Sequence, residues 1–190
     1  FFGISAPVAP RLANRFGIER TIFGALLVLI VGFLVRLLAS SVALFVGSAV
    51  IGAAIGICNV VLPALIKRDF AHRSGLMTGL YSVTLSAGAV VASGVIVPID
   101  DALGGNWRMA LASWALLAIV AVLVWLPQLS HAHRVGPAAA ATSLLRNPIA
   151  WAITVFMGTQ SLIFYTLVAW LPQYLVDDGM SRAGAGAVVA

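Results

Sequence analysis

A polar residue and a helix-breaking residue, which together could form a binding site, lie four positions apart inside an apolar stretch. Asn59 and Pro63 belong to the segment "NVVLPALIKRDF", which stays apolar until Lys67. A proline donates no backbone hydrogen bond, and its ring displaces the carbonyl four residues earlier, which here belongs to Asn59. A side-chain amide beside a freed carbonyl oxygen predicts a substrate-binding patch. The alternative is that Asn59 bonds a neighbouring helix while Pro63 only kinks its own.

A second polar patch lies near the middle of the apolar stretch 148–172. Its side chains recur at helical spacing and would share one broad face, and they are Met157, Gln160, Ser161, Phe164 and Tyr165. Amide and hydroxyl groups can donate hydrogen bonds to an anion, while the apolar side chains shape a pocket. The residues alone leave two readings of this face open, a substrate-binding site and packing against another helix. Tyr81, in another apolar stretch, is a further candidate for substrate binding.

The stretches that carry these residues are long enough to cross a membrane. The chain is 62% hydrophobic and 9% charged, with a mean hydropathy of +1.07, and a soluble domain of 190 residues could not hide so much apolar surface. A bilayer is crossed by about 20 apolar residues, which predicts five membrane helices. They cover residues 20–40, 43–65, 75–98, 108–126 and 148–172. None of them alternates apolar and polar residues, so the fold class is all-α.

The basic residues predict how the protein lies in the membrane. Three connections that would share one side carry Arg11, Arg15, Arg20, Lys67, Arg68, Arg73, Arg134 and Arg146, against two arginines on the other side. The positive-inside rule then makes the basic connections cytoplasmic, in a multi-pass protein of the plasma (inner) membrane. The pI of 10.4 reflects charge that attracts anionic lipid, and we expect no nucleic-acid partner.

The residue types that support catalysis or metal binding are sparse. Cys58 is the only cysteine, and no predicted membrane stretch contains Asp or Glu. We therefore expect no metal site, no cofactor and no enzymatic activity. Arg36 is the only charged residue clearly inside a stretch. Because it lies about four residues, roughly 6 Å, from the end, we expect it to snorkel to water.

Both ends of the chain lie in apolar stretches, at 1–9 and 183–190, and the first residue is Phe rather than Met. We therefore expect a piece of a longer membrane protein.

One hydrophilic segment resembles a family signature. "PVAPRLANRFGIER", which ends at Arg20, resembles the cytoplasmic loop that follows the second helix of major facilitator superfamily transporters. Arg15 and Gly17 match that signature. Asn14 and Pro10 stand where the family has Asp and Gly.

Further segments resemble the cyanate and nitroimidazole transporter branch of that superfamily. They are "NVVLPALIKRDF", "GLMTGLYS" (75–82) and "QSLIFYTLVAWLPQYL" (160–175). The resemblance covers nearly the whole chain and implies an incomplete major facilitator helical bundle. Residues 1–126 would form helices 2–6 of the N-terminal six-helix half, and 127–147 a cytoplasmic linker between the halves. Residues 148–190 would form helix 7 and the start of helix 8.

The resemblance implies a secondary transporter that works by alternating access. Its substrate would be a cyanate-like anion or a small planar polar compound such as a nitroimidazole. In this family helices 4 and 7 line the central cavity, so Asn59 and Gln160 would face it from opposite halves. A proton is a candidate coupling ion, and we expect the complete form to be monomeric. A multidrug exporter of the same superfamily is the first alternative, ahead of a non-transporting membrane sensor or a membrane enzyme.

Overall fold

The structure, a computed structural model, describes residues 2–38, 40–131 and 147–189. Within these ranges the chain forms helices joined by short turns and contains no β-strand. The α-helices are α1 (Phe2–Phe16), α2 (Ile18–Leu37), α3 (Ser41–Asp69), α4 (Ser74–Ala102), α5 (Trp107–Trp125), α6 (Pro148–Asp177) and α7 (Arg182–Val189). Two 3₁₀ helices, Ala71–Arg73 and Leu126–His131, follow α3 and α5.

The helices α2 to α6 are each long and apolar enough to cross a membrane, which confirms the five predicted spans. Three of them continue four or five residues past the predicted ends at 65, 98 and 172. The predicted ends mark where the apolar composition stops, whereas helical hydrogen bonds remain favourable in the interfacial layer beyond it. Pro98 and Pro172 lie inside α4 and α6 and end neither helix.

The longer helices change where some charged residues lie. Lys67 and Arg68 occupy the last turn of α3 rather than a loop. Positive side chains are stabilised at this end of a helix, where the unpaired carbonyl groups leave a partial negative charge.

The prediction that residues 7–20 form a loop is wrong. Helix α1 continues through Phe16, and α2 begins at Ile18, so Gly17 alone separates them. Gly17 has a φ of 91°, which glycine adopts readily because it has no Cβ atom. The turn between the two helices therefore needs only this one residue. Arg15 and Arg20 therefore lie on two helix ends that flank the glycine.

The described residues form two compact units. The first contains residues 2–84 and 99–131, and in it α2 packs against α1, α3 and α5. Its buried core is made of Ala9, Ala13, Ile18, Ile22 and Val61. The second contains residues 85–98 and 147–189, and in it α7 packs against α6.

The predicted division of the chain into parts of two six-helix halves stays a prediction. Of the predicted linker at 127–147, residues 132–146 lie outside the described residues. Pro127 to His131 belong to the second 3₁₀ helix. Asn147 caps α6, its side-chain oxygen accepting from the backbone N–H of Ile149 at 2.9 Å.

Two glycines let α2 and α3 approach each other closely. A Cβ atom on Gly47 would lie 2.5 Å from Arg36 Cγ and 2.9 Å from the carbonyl oxygen of Gly32. A Cβ atom on Gly32 would lie 2.7 Å from Ile51 Cγ1. Small residues at such a crossing bring two backbones into contact, which is how membrane helices pack without a hydrophobic driving force.

The helices α4 and α6 contain no buried residue. Five of their hydroxyl groups bond within their own helix, each donating to the carbonyl four residues earlier. The residues are Ser82, Thr84 and Ser93 in α4 and Thr154 and Thr159 in α6. A Cβ atom on Gly75 or Gly79 of α4 would meet no atom within 4 Å.

The glycine crossing predicts a sharp difference between two Gly→Ala changes. We expect Gly47→Ala to destabilise the purified protein by about 1–3 kcal/mol, since a backbone oxygen 2.9 Å away cannot move aside. Gly75→Ala is the matched control, and it should leave the unfolding temperature unchanged or slightly raised because Ala favours helix and the position is open. Thermal unfolding in detergent measures both, and equal melting temperatures for the two variants would refute the close crossing.

Candidate substrate-binding site

Asn59 and Tyr81 are joined by a hydrogen bond between α3 and α4. The Tyr81 hydroxyl donates to Asn59 Oδ1 at 3.1 Å. Asn59 lies ten residues before the end of α3, or roughly 15 Å along the axis, and Tyr81 lies seven residues after the start of α4, or roughly 10 Å. Both side chains therefore belong to the part of their helices that would lie within the bilayer core.

This bond leaves hydrogen-bonding capacity for a ligand. It uses the amide oxygen of Asn59, and within the described chain the two N–H donors of the amide have no hydrogen-bond partner. The Tyr81 oxygen can still accept a hydrogen bond. Asn59 is exposed and Tyr81 is half-buried in the described structure, so both polar ends are accessible. The pair could bind an anion through the amide donors, or a planar polar molecule through donors and acceptor together.

Pro63 lies one turn after Asn59 and inside α3, which continues to Asp69 as a helix. The predicted kink at Pro63 stays a prediction.

The predicted residues of the second patch all lie on α6. Gln160, Ser161, Phe164 and Tyr165 are exposed, and the rings of Phe164 and Tyr165 meet edge to face with their centroids 5.4 Å apart. These four residues belong to the second unit and Asn59 to the first. That they share a substrate site with Asn59 stays a prediction.

A charged cluster that the sequence reading did not anticipate joins three helices of the first unit. Arg68 of α3 donates to Glu19 Oε1 of α2 at 2.6 Å and to Asp69 Oδ1 at 2.6 Å. The Trp125 indole N–H of α5 donates to the backbone oxygen of Glu19 at 3.0 Å. One signal was available in the sequence, because Glu19 is the only acidic residue before Asp69 and stands among arginines.

Glu19 is almost fully enclosed, with 4% of its side chain exposed. Its second carboxylate oxygen, Oε2, is buried without a hydrogen-bond partner among the described residues. A cavity of about 470 Å³ lies beside it and is lined in part by Arg68, Trp125 and Gln128. A buried carboxylate is stable only when it is paired, so the link to Arg68 holds the start of α2 against the end of α3.

Arg36 occupies the last turn of α2 and is half-buried. Its aliphatic chain covers Gly47, and its Nε atom is enclosed with no hydrogen-bond partner within the described ranges. The predicted snorkelling of its charged end stays a prediction. The described residues contain no group of three or more His, Cys, Asp or Glu side chains that could hold a metal ion.

Five membrane-length helices among the described residues define a multi-pass membrane protein, and a polar hydrogen bond joins two of these helices. The family follows from comparison with known proteins: the model of the Major Facilitator Superfamily matches residues 1–190, and the chain belongs to that family. The predicted family and all-α membrane fold are thereby confirmed. No solved structure matches the chain significantly.

Several relatives are similar over nearly the whole chain. It is 42% identical over 192 residues to the 2-nitroimidazole transporter of Escherichia coli (strain K12), covering 98% of this chain and 48% of the relative. It is 39% identical over 191 residues to the uncharacterized transporter YycB of Bacillus subtilis (strain 168), covering 100% of this chain and 48% of the relative. The cyanate transport protein CynX of Escherichia coli (strain K12) is 34% identical over 177 residues, covering 90% of this chain and 45% of the relative.

These relatives confirm the predicted branch of the superfamily. The chain spans about half the length of each of them.

The charged cluster generates a stability prediction. Glu19→Gln keeps the side-chain volume but removes the buried charge that Arg68 pairs with. We expect it to destabilise the purified protein by about 1–3 kcal/mol, less than for a fully buried pair because Arg68 is 31% exposed. Asp69→Asn removes the other carboxylate from the same arginine at a more exposed position, and its effect should stay below about 1 kcal/mol. Unfolding temperatures in detergent compare the two, and a larger loss in Asp69→Asn would show that Glu19 does not hold the helices together.

Proposed function

We propose that the protein is a secondary transporter that carries a small solute across the membrane by alternating access. Membership of the Major Facilitator Superfamily supports transport. The names of two relatives, a 2-nitroimidazole transporter and a cyanate transport protein, support a small substrate. The proposed substrate is a cyanate-like anion or a small planar polar compound, and the protein performs no chemical reaction on it.

The observation that carries the proposal is the hydrogen bond between Tyr81 and Asn59. Polar side chains inside a membrane are expensive unless they bond each other or face a water-filled cavity. Here one bond orients the Asn59 amide and leaves its N–H donors available. A solute that accepts those hydrogen bonds replaces the water that the amide would otherwise bind.

Alternating access also requires a contact from the other half of the protein. We assign residues 1–126 to the N-terminal half and 148–190 to the C-terminal half, joined by the linker at 127–147. On this assignment α3 supplies Asn59 and α6 supplies Gln160. A solute bound by both side chains couples the two halves, because its affinity then differs between the two arrangements of the halves.

Substitutions at the proposed site should weaken binding in a graded way. Each uncharged hydrogen bond contributes about 0.5–1.5 kcal/mol, so Asn59→Ala and Gln160→Leu should each reduce affinity roughly threefold to tenfold. Tyr81→Phe removes only the hydroxyl that orients Asn59, and its effect should be smaller than that of Asn59→Ala. Binding isotherms of the purified protein with 2-nitroimidazole and with cyanate measure these changes.

Tyr174→Phe provides the matched control, because it removes a hydroxyl from an exposed tyrosine near the far end of α6. It should bind like the parent. Parental affinity in both Asn59→Ala and Gln160→Leu, at normal expression, would place the substrate elsewhere.

We further propose that the protein lies in the plasma (inner) membrane with its basic helix ends facing the cytoplasm. Eight of the eleven basic residues support this orientation. Helix α3 and the 3₁₀ helix after it would end inside, and α6 would end outside near Asp178.

Single cysteines test this orientation. The native Cys58, half-buried in α3, is first replaced by Ser to remove background labelling. We then expect a cysteine at position 72 to react with impermeant thiol reagents only in inside-out vesicles, and a cysteine at position 178 to react in intact cells. The reverse pattern would invert the topology, since the two positions are expected on opposite sides.

A further inference from the structure

An apolar groove runs along the surface of the first unit between α1 and α2. Its volume is about 350 Å³, and Leu12 and Phe16 of α1, Gly24 and Val28 of α2, and Ile57 of α3 contribute to its wall. The hydroxyl of Thr21, which also lines it, is bonded to the carbonyl of Gly17 at 2.7 Å. The wall therefore presents hydrocarbon, and its one hydroxyl is already bonded within the protein.

Positive charge is concentrated at one end of this groove. The exposed Arg20 lines its mouth, and the guanidinium of Arg15 lies over the Phe16 ring, 5.3 Å from the centroid. From Arg20 the groove extends along α2 to Val28, eight residues or roughly 12 Å. Since Arg20 lies in the first turn of a membrane-spanning helix, the charged end lies at the membrane surface and the apolar end points into the hydrocarbon layer.

We propose that this groove binds one anionic phospholipid. The phosphate group pairs with Arg20, beside the positive charge of Arg15, and an acyl chain lies along α2 over Gly24. Charge complementarity selects this occupant, because a basic side chain near the surface attracts an anionic headgroup while the groove shields the chain. A further apolar helix or a second copy of the chain could cover the hydrocarbon wall, but its apolar surface would leave the arginines without a counter-charge.

The groove depends on the absence of a side chain at Gly24. A Cβ atom there would meet no atom within 4 Å, so this position is open space. Gly24→Leu would place a side chain where the acyl chain lies, without a collision with the protein's own atoms at the Cβ position. The charge and the shape of the site can therefore be changed separately.

The charge is tested by native mass spectrometry of the purified full-length protein with phosphatidylglycerol, and with phosphatidylcholine for comparison. Since a basic residue near the surface contributes on the order of 1 kcal/mol to anionic lipid binding, Arg20→Gln should reduce the affinity for phosphatidylglycerol about fivefold. Arg73→Gln, which removes an exposed arginine from the 3₁₀ helix after α3, is the matched control and should bind like the parent. An equal loss of affinity in Arg20→Gln and Arg73→Gln would show that only the general surface charge attracts the lipid. That result would overturn the proposed site.

The shape is tested by Gly24→Leu beside Gly75→Leu, an equally open glycine on α4. Only Gly24→Leu should lose affinity for phosphatidylglycerol. This variant should also lose affinity for more weakly bound lipids that carry the same acyl chains. Because a variant can fail to fold, the unaltered protein is also crosslinked with photoactivatable phosphatidylglycerol. Labelled peptides from α1 and α2 around Phe16 and Gly24 support the site. Labelling spread evenly over the helices, or absent from these peptides because another helix or a second copy covers them, overturns it.

Discussion

The buried carboxylate of Glu19 is the constraint on which the first unit depends. It lies at the start of α2, the helix that contacts α1, α3 and α5, and it must be paired because it has almost no access to water. Its partner Arg68 fixes one end of α3, and Trp125 brings α5 to the same point. The glycine crossing fixes the other end of α3. Asn59 is consequently held by contacts at both ends of its helix, and by Val61, two residues further on, which packs in the buried core.

The number and class of the helices were predictable because each span carries enough apolar residues to cross a bilayer. The ends were not, since apolar composition marks the hydrocarbon layer whereas hydrogen bonding sets the length of a helix. Two predicted ends, at residues 98 and 172, fall on prolines that lie inside helices. The segment 7–20 is hydrophilic enough to suggest a loop, yet a single glycine with positive φ is sufficient for the turn.

The candidate site, like the helices, could be predicted from the sequence only in part. Asn59 could be found from sequence, because an amide in an apolar stretch is unusual and expensive. Its bond to Tyr81 could not, since the two residues are 22 positions apart and meet only through the arrangement of α3 and α4. Helical spacing fixed which residues of α6 share a face with Gln160, but spacing within one helix carries no information about what that face meets. The ion pair between Glu19 and Arg68 was not predicted either, because the two residues are 49 positions apart in the sequence.

The hydroxyl groups of α4 and α6 bear on how the protein is made. Those of Thr84 and Thr159 donate to carbonyls in their own helices and therefore need no hydrogen-bond partner from a neighbouring segment. During biosynthesis each helix can therefore leave the protein-conducting channel and enter lipid alone, with these polar atoms already satisfied. Assembly then becomes a later and separate event in which the inserted helices find one another in the bilayer. For Glu19, in the first turn of α2, the partner Arg68 lies on a helix synthesised later, so this pair can form only after α3 has emerged.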